Sequence, residues 1–421
     1  MRRFKYLVVG GLLLALSACN TVSTPEQGLE AQATAGRYIV VLKRSAAPGG
    51  HAANQTRAAE VARGFGLSAD KTYGSALFGF AASIPEGRLN ALRRDPRVAY
   101  VEADQVVSIA AQTTPTGVRR AFADANPNLS VNGADGQRID VDVAVIDSGI
   151  DLQHTDLNVY RSTNCSGGSP TRGKCGSGGD DDNGHGTHVA GSIGALDNAA
   201  GVVGVAPGAR LWGVKVLSKS GSGYTSWIIA GIDYVTANAA QIEVANMSLG
   251  CECQSAAQDE AIAKSVAAGV TYVVAAGNSD KDSATFSPAN HPDVITVSAL
   301  ADFDGQPGAL GTSTCRADED DTLANFSNFG RDVEIAAPGV CILSTWFDGG
   351  YNTISGTSMA SPHAAGAAAL LAASGMTSPA QISDTLAAEG NFNWTDDSGD
   401  GVKEPLLDVS DQGVFAPSTT N

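Results

Sequence analysis

Three segments of the 421-residue chain carry side chains that could do chemistry together. Val143-Ala144-Val145-Ile146-Asp147-Ser148-Gly149-Ile150-Asp151 reads as a buried strand that ends on an acid and turns. Ligands gather at the carboxyl ends of parallel strands, which puts Asp147 where a site belongs. Asn183-Gly184-His185-Gly186-Thr187-His188-Val189-Ala190-Gly191 surrounds His185 with small residues that leave its imidazole accessible. Gly356-Thr357-Ser358-Met359-Ala360-Ser361-Pro362-His363 opens an Ala-rich helix reaching about Ala373, so Ser358 sits in the positive field of a helix start. A hydroxyl is a poor nucleophile at neutral pH and needs a base. An imidazole with a pKa near ~6.5 can take that proton and return it to a leaving group, and a carboxylate can hold the imidazole tautomer. Taken singly, each residue has a plainer reading: Asp147 a cap, His185 a packed ring, Ser358 an N-cap, and Asn278 (after Gly277) a turn residue. His188, His363, Ser361 and Asp151 read as structural.

These residues must be held by a rigid frame. Val141–Ile146, Arg210–Val216, Val244–Met247, Val270–Ala275 and Val294–Ala299 are continuous apolar runs separated by helical stretches. That pattern predicts an α/β domain with a parallel sheet covered on both faces, over residues 111–410. Residues 37–110 read as a small α+β unit, with strands at Tyr38–Leu42, Gly79–Ile84 and Val98–Val101 and helices at Asn54–Phe65 and Glu86–Arg93. Residues 20–36 are a polar linker and 411–421 a C-terminal tail. Charge divides the same way: residues 1–111 carry 13 basic and 8 acidic groups, residues 112–421 carry 14 and 36. The net charge of −17 argues against a nucleic-acid partner.

The first nineteen residues read as an export signal. Arg2, Arg3 and Lys5 precede a Leu7–Leu16 apolar run too short to span a membrane stably. Leu16-Ser17-Ala18-Cys19 resembles a bacterial lipobox, making Cys19 a lipidation candidate. The other six cysteines suit an exported chain and allow 15 pairings. Cys165 with Cys175 and Cys315 with Cys341 are the preferred pairs. Cys251 and Cys253 are then either a tight bridge or two free thiols. The Asp180–Asp182 and Asp318–Asp321 runs read as solvated faces. Asp396-Asp397-Ser398-Gly399-Asp400-Gly401 reads as an acidic surface turn with EF-hand-like alternation but no Glu at the twelfth position.

Together the three motifs, in the order Asp–His–Ser, resemble the subtilisin-like serine proteases, over about residues 112–410. The resemblance implies a three-layer catalytic domain that hydrolyses peptide bonds of extended polypeptides, with Asp147, His185 and Ser358 as its triad. It makes Ala275-Ala276-Gly277-Asn278-Ser279 the oxyanion segment, with the Asn278 side chain as donor. It also implies a groove edged by Gly221, Ser222 and Gly223 on one side and Ser248, Leu249 and Gly250 on the other. Ala275, Ala276 and Gly277 form the second wall of the pocket for the residue before the scissile bond. Small apolar walls imply broad apolar preference, and Ser279, where some relatives carry an acid, implies little selection for a basic residue. Structural Ca²⁺ would be held by Asp156, the carbonyls of Leu196, Ala200 and Val202, and the Asn198 side chain; no organic cofactor is expected. Residues 37–110 resemble the family's inhibitory propeptide, a ferredoxin-like domain serving as intramolecular chaperone and inhibitor. Autocleavage is expected near Ile109–Gln112, with Arg119-Arg120 a second processing point. The expected product is a secreted monomer, tethered to the envelope through Cys19 only before maturation. Two rivals differ in class: a catalytically silent surface-binding lipoprotein of the same fold, and a metallohydrolase on His185 and His188, whose spacing is not the zinc-protease pattern.

Overall fold

A computed structural model describes residues 36–43, 50–104, 111–134, 138–167 and 175–412. The export signal, Cys19 and nearly all of the linker lie outside them, as do Ile109 and residues 413–421 of the tail. The chain forms two compact units, residues 1–109 and 110–421.

The first unit runs β1 (Arg37–Leu42), α1 (His51–Gly64), β2 (Lys71–Tyr73), β3 (Gly79–Ser83), α2 (Glu86–Arg94) and β4 (Val98–Ala103). Its sheet has the order β2-β3-β1-β4, antiparallel at each pairing. Val40 and Leu42 of central β1 pack with Ala58 and Val61 of α1 and Leu89 and Leu92 of α2. β2 was not expected from the sequence. Lys71-Thr72-Tyr73 is a three-residue edge strand with no apolar alternation, and its pairing with Gly79–Ala81 defines it.

The second unit continues with α3 (Thr116–Arg120), β5 (Asp142–Asp147), β6 (Val159–Asn164), α4 (His185–Gly194), β7 (Arg210–Lys215), α5 (Thr225–Ala237), β8 (Val244–Met247), α6 (Ala256–Ala267) and β9 (Thr271–Ala275). It ends with β10 (Ile295–Ala301), β11 (Thr322–Leu323), β12 (Ile335–Pro338), β13 (Ile342–Trp346), β14 (Gly350–Ile354), α7 (Thr357–Ala373) and α8 (Pro379–Glu389). One sheet has the order β11-β10-β9-β8-β5-β7-β6, with β12 also paired to β10. It is parallel except at β11. Strand alternation divides two cores. Val143 and Val145 of β5 face Val189 and Ile193 of α4 and the alanines of α7. Ala144 and Ile146 face Ile232 and Val235 of α5 and Ile262 of α6. A sheet buried on both faces explains why its central strands read as unbroken apolar runs.

Disulfides join Cys165 to Cys175, Cys315 to Cys341, and Cys251 to Cys253. Four readings of the sequence are corrected. Asp318, Asp320 and Asp321 are buried, not solvated. Asp321 accepts two hydrogen bonds from Arg120, at 2.7 and 2.9 Å, and Asp302 lies 3.1 Å from the same guanidinium. Burial pushes Asp302 up to about 7, against the pull of the Gly305 amide and Arg120. Arg120 is itself wholly buried within α3, so Arg119-Arg120 is not an open processing point. Asp181 is buried for reasons given below. Gln412, placed in the tail, is buried against the body, where its carbonyl accepts from Asn126 and its amide donates to Glu389. At Asp396–Gly401 the acidic side chains cap their own turn: Asp396 accepts from the Ser398 amide and Asp400 from that of Val402.

Candidate active site

Asp147 is the last residue of β5 and is fully buried. Its Oδ1 accepts from the Ser148 amide at 2.6 Å and lies 2.8 Å from His185 Nδ1. His185 is the first residue of α4, and the turn that delivers it needs glycine twice. Gly184 has φ +106°, and a Cβ there would lie 2.4 Å from the Trp346 ring. A Cβ on Gly186 would lie 2.1 Å from the Gly149 carbonyl.

The helix start has no cap from its own N-cap residue, and Asp181 supplies one from the preceding loop. Its Oδ1 accepts from the Asn183 and Gly184 amides and from Ser148 Oγ, and its Oδ2 from the amide and hydroxyl of Thr187. Ser148 Oγ in turn accepts from the Gly186 amide. A carboxylate at the positive end of a helix is stabilising, and this one locks the loop carrying His185 to the strand end carrying Asp147. Burial alone would lower the basicity of His185. The charge and hydrogen bond of Asp147, with a smaller contribution from Asp181, outweigh burial and raise its pKa above 6.5.

Ser358 is the second residue of α7. Its Oγ donates to the Ser248 carbonyl at 3.1 Å, and Ser248 Oγ donates to the Ser358 carbonyl at 2.8 Å. Asn246 on β8 supports this exchange, donating to Ser248 Oγ and accepting from Ser361 Oγ at 2.6 Å. Asn278 follows β9. Its Oδ1 accepts from the amide and hydroxyl of Thr357, at 2.8 and 3.0 Å. An amide N–H can only donate, so the atom facing Thr357 is the oxygen, and the Asn278 NH₂ has no hydrogen-bond partner among the described residues.

His185, Asn278 and Ser358 line one cleft of about 480 Å³ with Gly221, Ser222, Gly223, Ser248, Leu249 and Gly250. A pocket of about 300 Å³ opens beside it, lined by Leu249, Gly250, Ala275, Ala276, Gly277, Phe286 and Ala289, and shares Asn278 and Ser358 with the cleft. All nine groove residues named from the sequence are therefore on these two surfaces. Asn328, which sequence reasoning missed, fixes the second wall. It donates to the Ala276 carbonyl and accepts from the Ser279 and Lys281 amides. No short motif marks it, because its partners lie about fifty residues away.

Other expected residues lie elsewhere. His188 is buried, with Nε2 at 2.9 Å from the Ile342 carbonyl, and burial pushes its pKa down to about 3. It faces β13, so it forms no metal pair with His185. Burial likewise lowers His363 to about 4. Asp156 is buried, and its backbone carbonyl accepts from the Leu196 amide, two residues past the end of α4. Its carboxylate accepts from Asn198 Nδ2 at 2.7 Å and the Val202 amide at 2.9 Å, and Asn198 Oδ1 accepts from the Ala200 amide. Burial raises the Asp156 pKa against those hydrogen bonds.

The comparisons agree with this geometry. Residues 138–401 match the Subtilase family, and residues 37–110 match Peptidase inhibitor I9. The chain is 36% identical over 407 residues to the alkaline serine exoprotease A of Vibrio alginolyticus, covering 90% of this chain and 68% of that protein. It is 40% identical to the extracellular serine proteinase of Thermus sp. strain Rt41A, covering 87% and 88%. A crystal structure of a cold adapted subtilisin-like serine proteinase superposes with a TM-score of 0.56 at 36% identity, covering 72% of this chain and 98% of that one. The chain belongs to the subtilase family of serine proteases, built behind an inhibitor-type propeptide domain.

Proposed function

We propose that this subtilase is a secreted, monomeric endopeptidase that cleaves extended polypeptides through an acyl-enzyme on Ser358, and that it matures by cutting its own chain near Ile109–Gln112. The observation that carries the reading is buried Asp147 paired with part-exposed His185, which opens onto the same cleft as Ser358 and Asn278, whose NH₂ has no hydrogen-bond partner among the described residues. In this mechanism His185 takes the Ser358 proton as Oγ attacks the carbonyl, then passes it to the leaving amine. Asp147 holds Nδ1–H and balances the imidazolium. Asn278 Nδ2 and the Ser358 amide receive the oxyanion. The propeptide domain keeps the enzyme inactive until cleavage. Export is supported by the signal-like first nineteen residues and by one relative named as an extracellular serine proteinase. A lipid on Cys19 would anchor only the part that is removed.

Covalent labelling by a fluorophosphonate, located by peptide mass, tests this reading. Label on Ser358 of a processed chain is expected, and an unlabelled processed chain would sink it. Asn278→Ala is expected to lower kcat on the order of 10²–10³-fold with KM little changed, the loss known for subtilisins without this donor. Steady-state kinetics on a chromogenic peptide reads it.

We further propose one structural Ca²⁺ held by Asp156, Asn198 Oδ1 and the carbonyls of Leu196, Ala200 and Val202. The support is a buried carboxylate whose hydrogen-bond partners among the described residues are Asn198 Nδ2, the Val202 amide and the Tyr351 hydroxyl, with no Lys or Arg to balance its charge, while the residues proposed to hold the ion offer only oxygens, which suits Ca²⁺. The buried side-chain amide of Gln112 also has no partner among the described residues and lines a cavity with Asn198. Calcium at a hundredfold its Kd would add about 3 kcal/mol. Chelation is therefore expected to lower the thermal midpoint of a Ser358→Ala chain by several degrees, and Asp156→Asn to remove that dependence.

A further inference from the structure

The pocket beside Ser358 carries a charge that its small apolar walls conceal. Among the described residues that line it, Glu252 alone is ionisable. Its backbone is held at two levels. The Cys251–Cys253 disulfide brackets it. Cys251 also exchanges both backbone hydrogen bonds with Ser287, another lining residue, at 3.0 Å each. The Glu252 side chain is half exposed, and both carboxylate oxygens lie 2.9 Å from Lys281 Nζ. Lys281 does not line the pocket. Of this ion pair, then, only Glu252 belongs to the pocket lining.

We propose that Glu252 is a specificity residue that admits Lys and Arg at the position before the scissile bond, alongside apolar side chains. The proposal rests on reading this pocket as the site for that substrate residue. A Lys or Arg side chain would lay its methylenes along Leu249, Ala275, Ala276 and Gly277 and bring its cation to the rim. Exposed ion pairs contribute little, so Glu252 gives up little by exchanging Lys281 for the substrate cation. A Glu side chain in the same pocket would meet Glu252 before Lys281 and be disfavoured. The acid absent at Ser279 is thus supplied from the opposite wall.

The test uses the mature enzyme and peptides that differ only in that residue (Leu, Phe, Lys, Arg or Glu), with kcat/KM measured for the wild type, Glu252→Gln and Lys281→Glu. The wild type is expected to cleave after Lys and Arg well above Glu. Glu252→Gln is expected to lower the Lys-to-Leu ratio of kcat/KM about threefold to fivefold, and Lys281→Glu to raise it. Raising salt should lower the wild-type ratio while leaving the Glu252→Gln ratio nearly flat. A structural role for Glu252 would move Leu and Lys together, and that outcome overturns the proposal. A ratio indifferent to Glu252→Gln, with Leu and Phe still cleaved, overturns it while leaving the pocket assignment standing. Cleavage of none of the peptides overturns the pocket assignment and the proposal with it.

Discussion

Ser358→Ala is expected to lower kcat on the order of 10⁶-fold, the loss known for the nucleophile of subtilisins, and to leave the chain uncut. Without Oγ there is no acyl intermediate, and what remains is water attack in a cleft that still binds peptide and still offers the Asn278 amide. KM should change little, because the groove residues do not depend on the hydroxyl. Folding should be intact, since the substitution removes one 3.1 Å hydrogen bond to the Ser248 carbonyl, while the reciprocal bond from Ser248 Oγ to the Ser358 backbone stays. Two measurements check this: kcat on a chromogenic peptide, and the intact mass of the purified chain. A Ser358→Ala chain that still emerges cut near Ile109–Gln112 would mean that another protease performs the maturation.

Asp147→Asn is expected to cost about 10⁴-fold in kcat and to shift the pH profile to lower pH. Asp147 does two things: it fixes the ring through Nδ1, and it raises the His185 pKa against burial. The wild-type rate should therefore climb with pH through a midpoint above 6.5, because the protonated imidazole cannot accept the Ser358 proton. With Asn in place, burial remains and the charge does not, so the midpoint should fall below 6.5. A kcat/KM profile from pH 4 to 10 for both proteins decides it, and an unmoved midpoint would contradict Asp147 as the source of the shift. The stability sign is opposite. A raised histidine pKa stabilises the fold below pH 6.5, and that contribution is lost as pH rises through the folded value. The pair therefore stabilises most where the enzyme works least. His188 and His363, held at about 3 and about 4, lie too low to blur the midpoint.

What could be read from the chain was local. Asp147, His185 and Ser358 each sit in a run of neighbours that fixes strand end, glycine turn or helix start within a few residues, and the central strands are apolar because both faces are covered. What could not be read depends on chain folding back. Asp181 looks like one of three exposed acids until its loop wraps the start of α4. Asp318–Asp321 looks solvated until Arg120, some two hundred residues earlier, is buried against it. β6, with the sequence Val-Tyr-Arg-Ser-Thr-Asn, has no apolar run because it closes one edge of the sheet. Glu252 and its ion-pair partner Lys281 lie 29 residues apart, with no spacing to announce them.

α7 has fourteen of its seventeen residues buried, packed between the sheet and α4. A Cβ on its Gly366 would lie 2.7 Å from Val205, so even its glycine is in close contact. The proposed nucleophile thus rides on a segment that cannot fray by itself. Local openings of the surface loops leave Ser358 in place, and the opening that displaces it is the one that unfolds the domain. A protease lives among active copies of itself, each able to cut any strand that loosens. Loss of the nucleophile's setting then follows the rate of whole-domain unfolding, whereas a nick in a surface loop needs only a local opening and leaves the nucleophile in place.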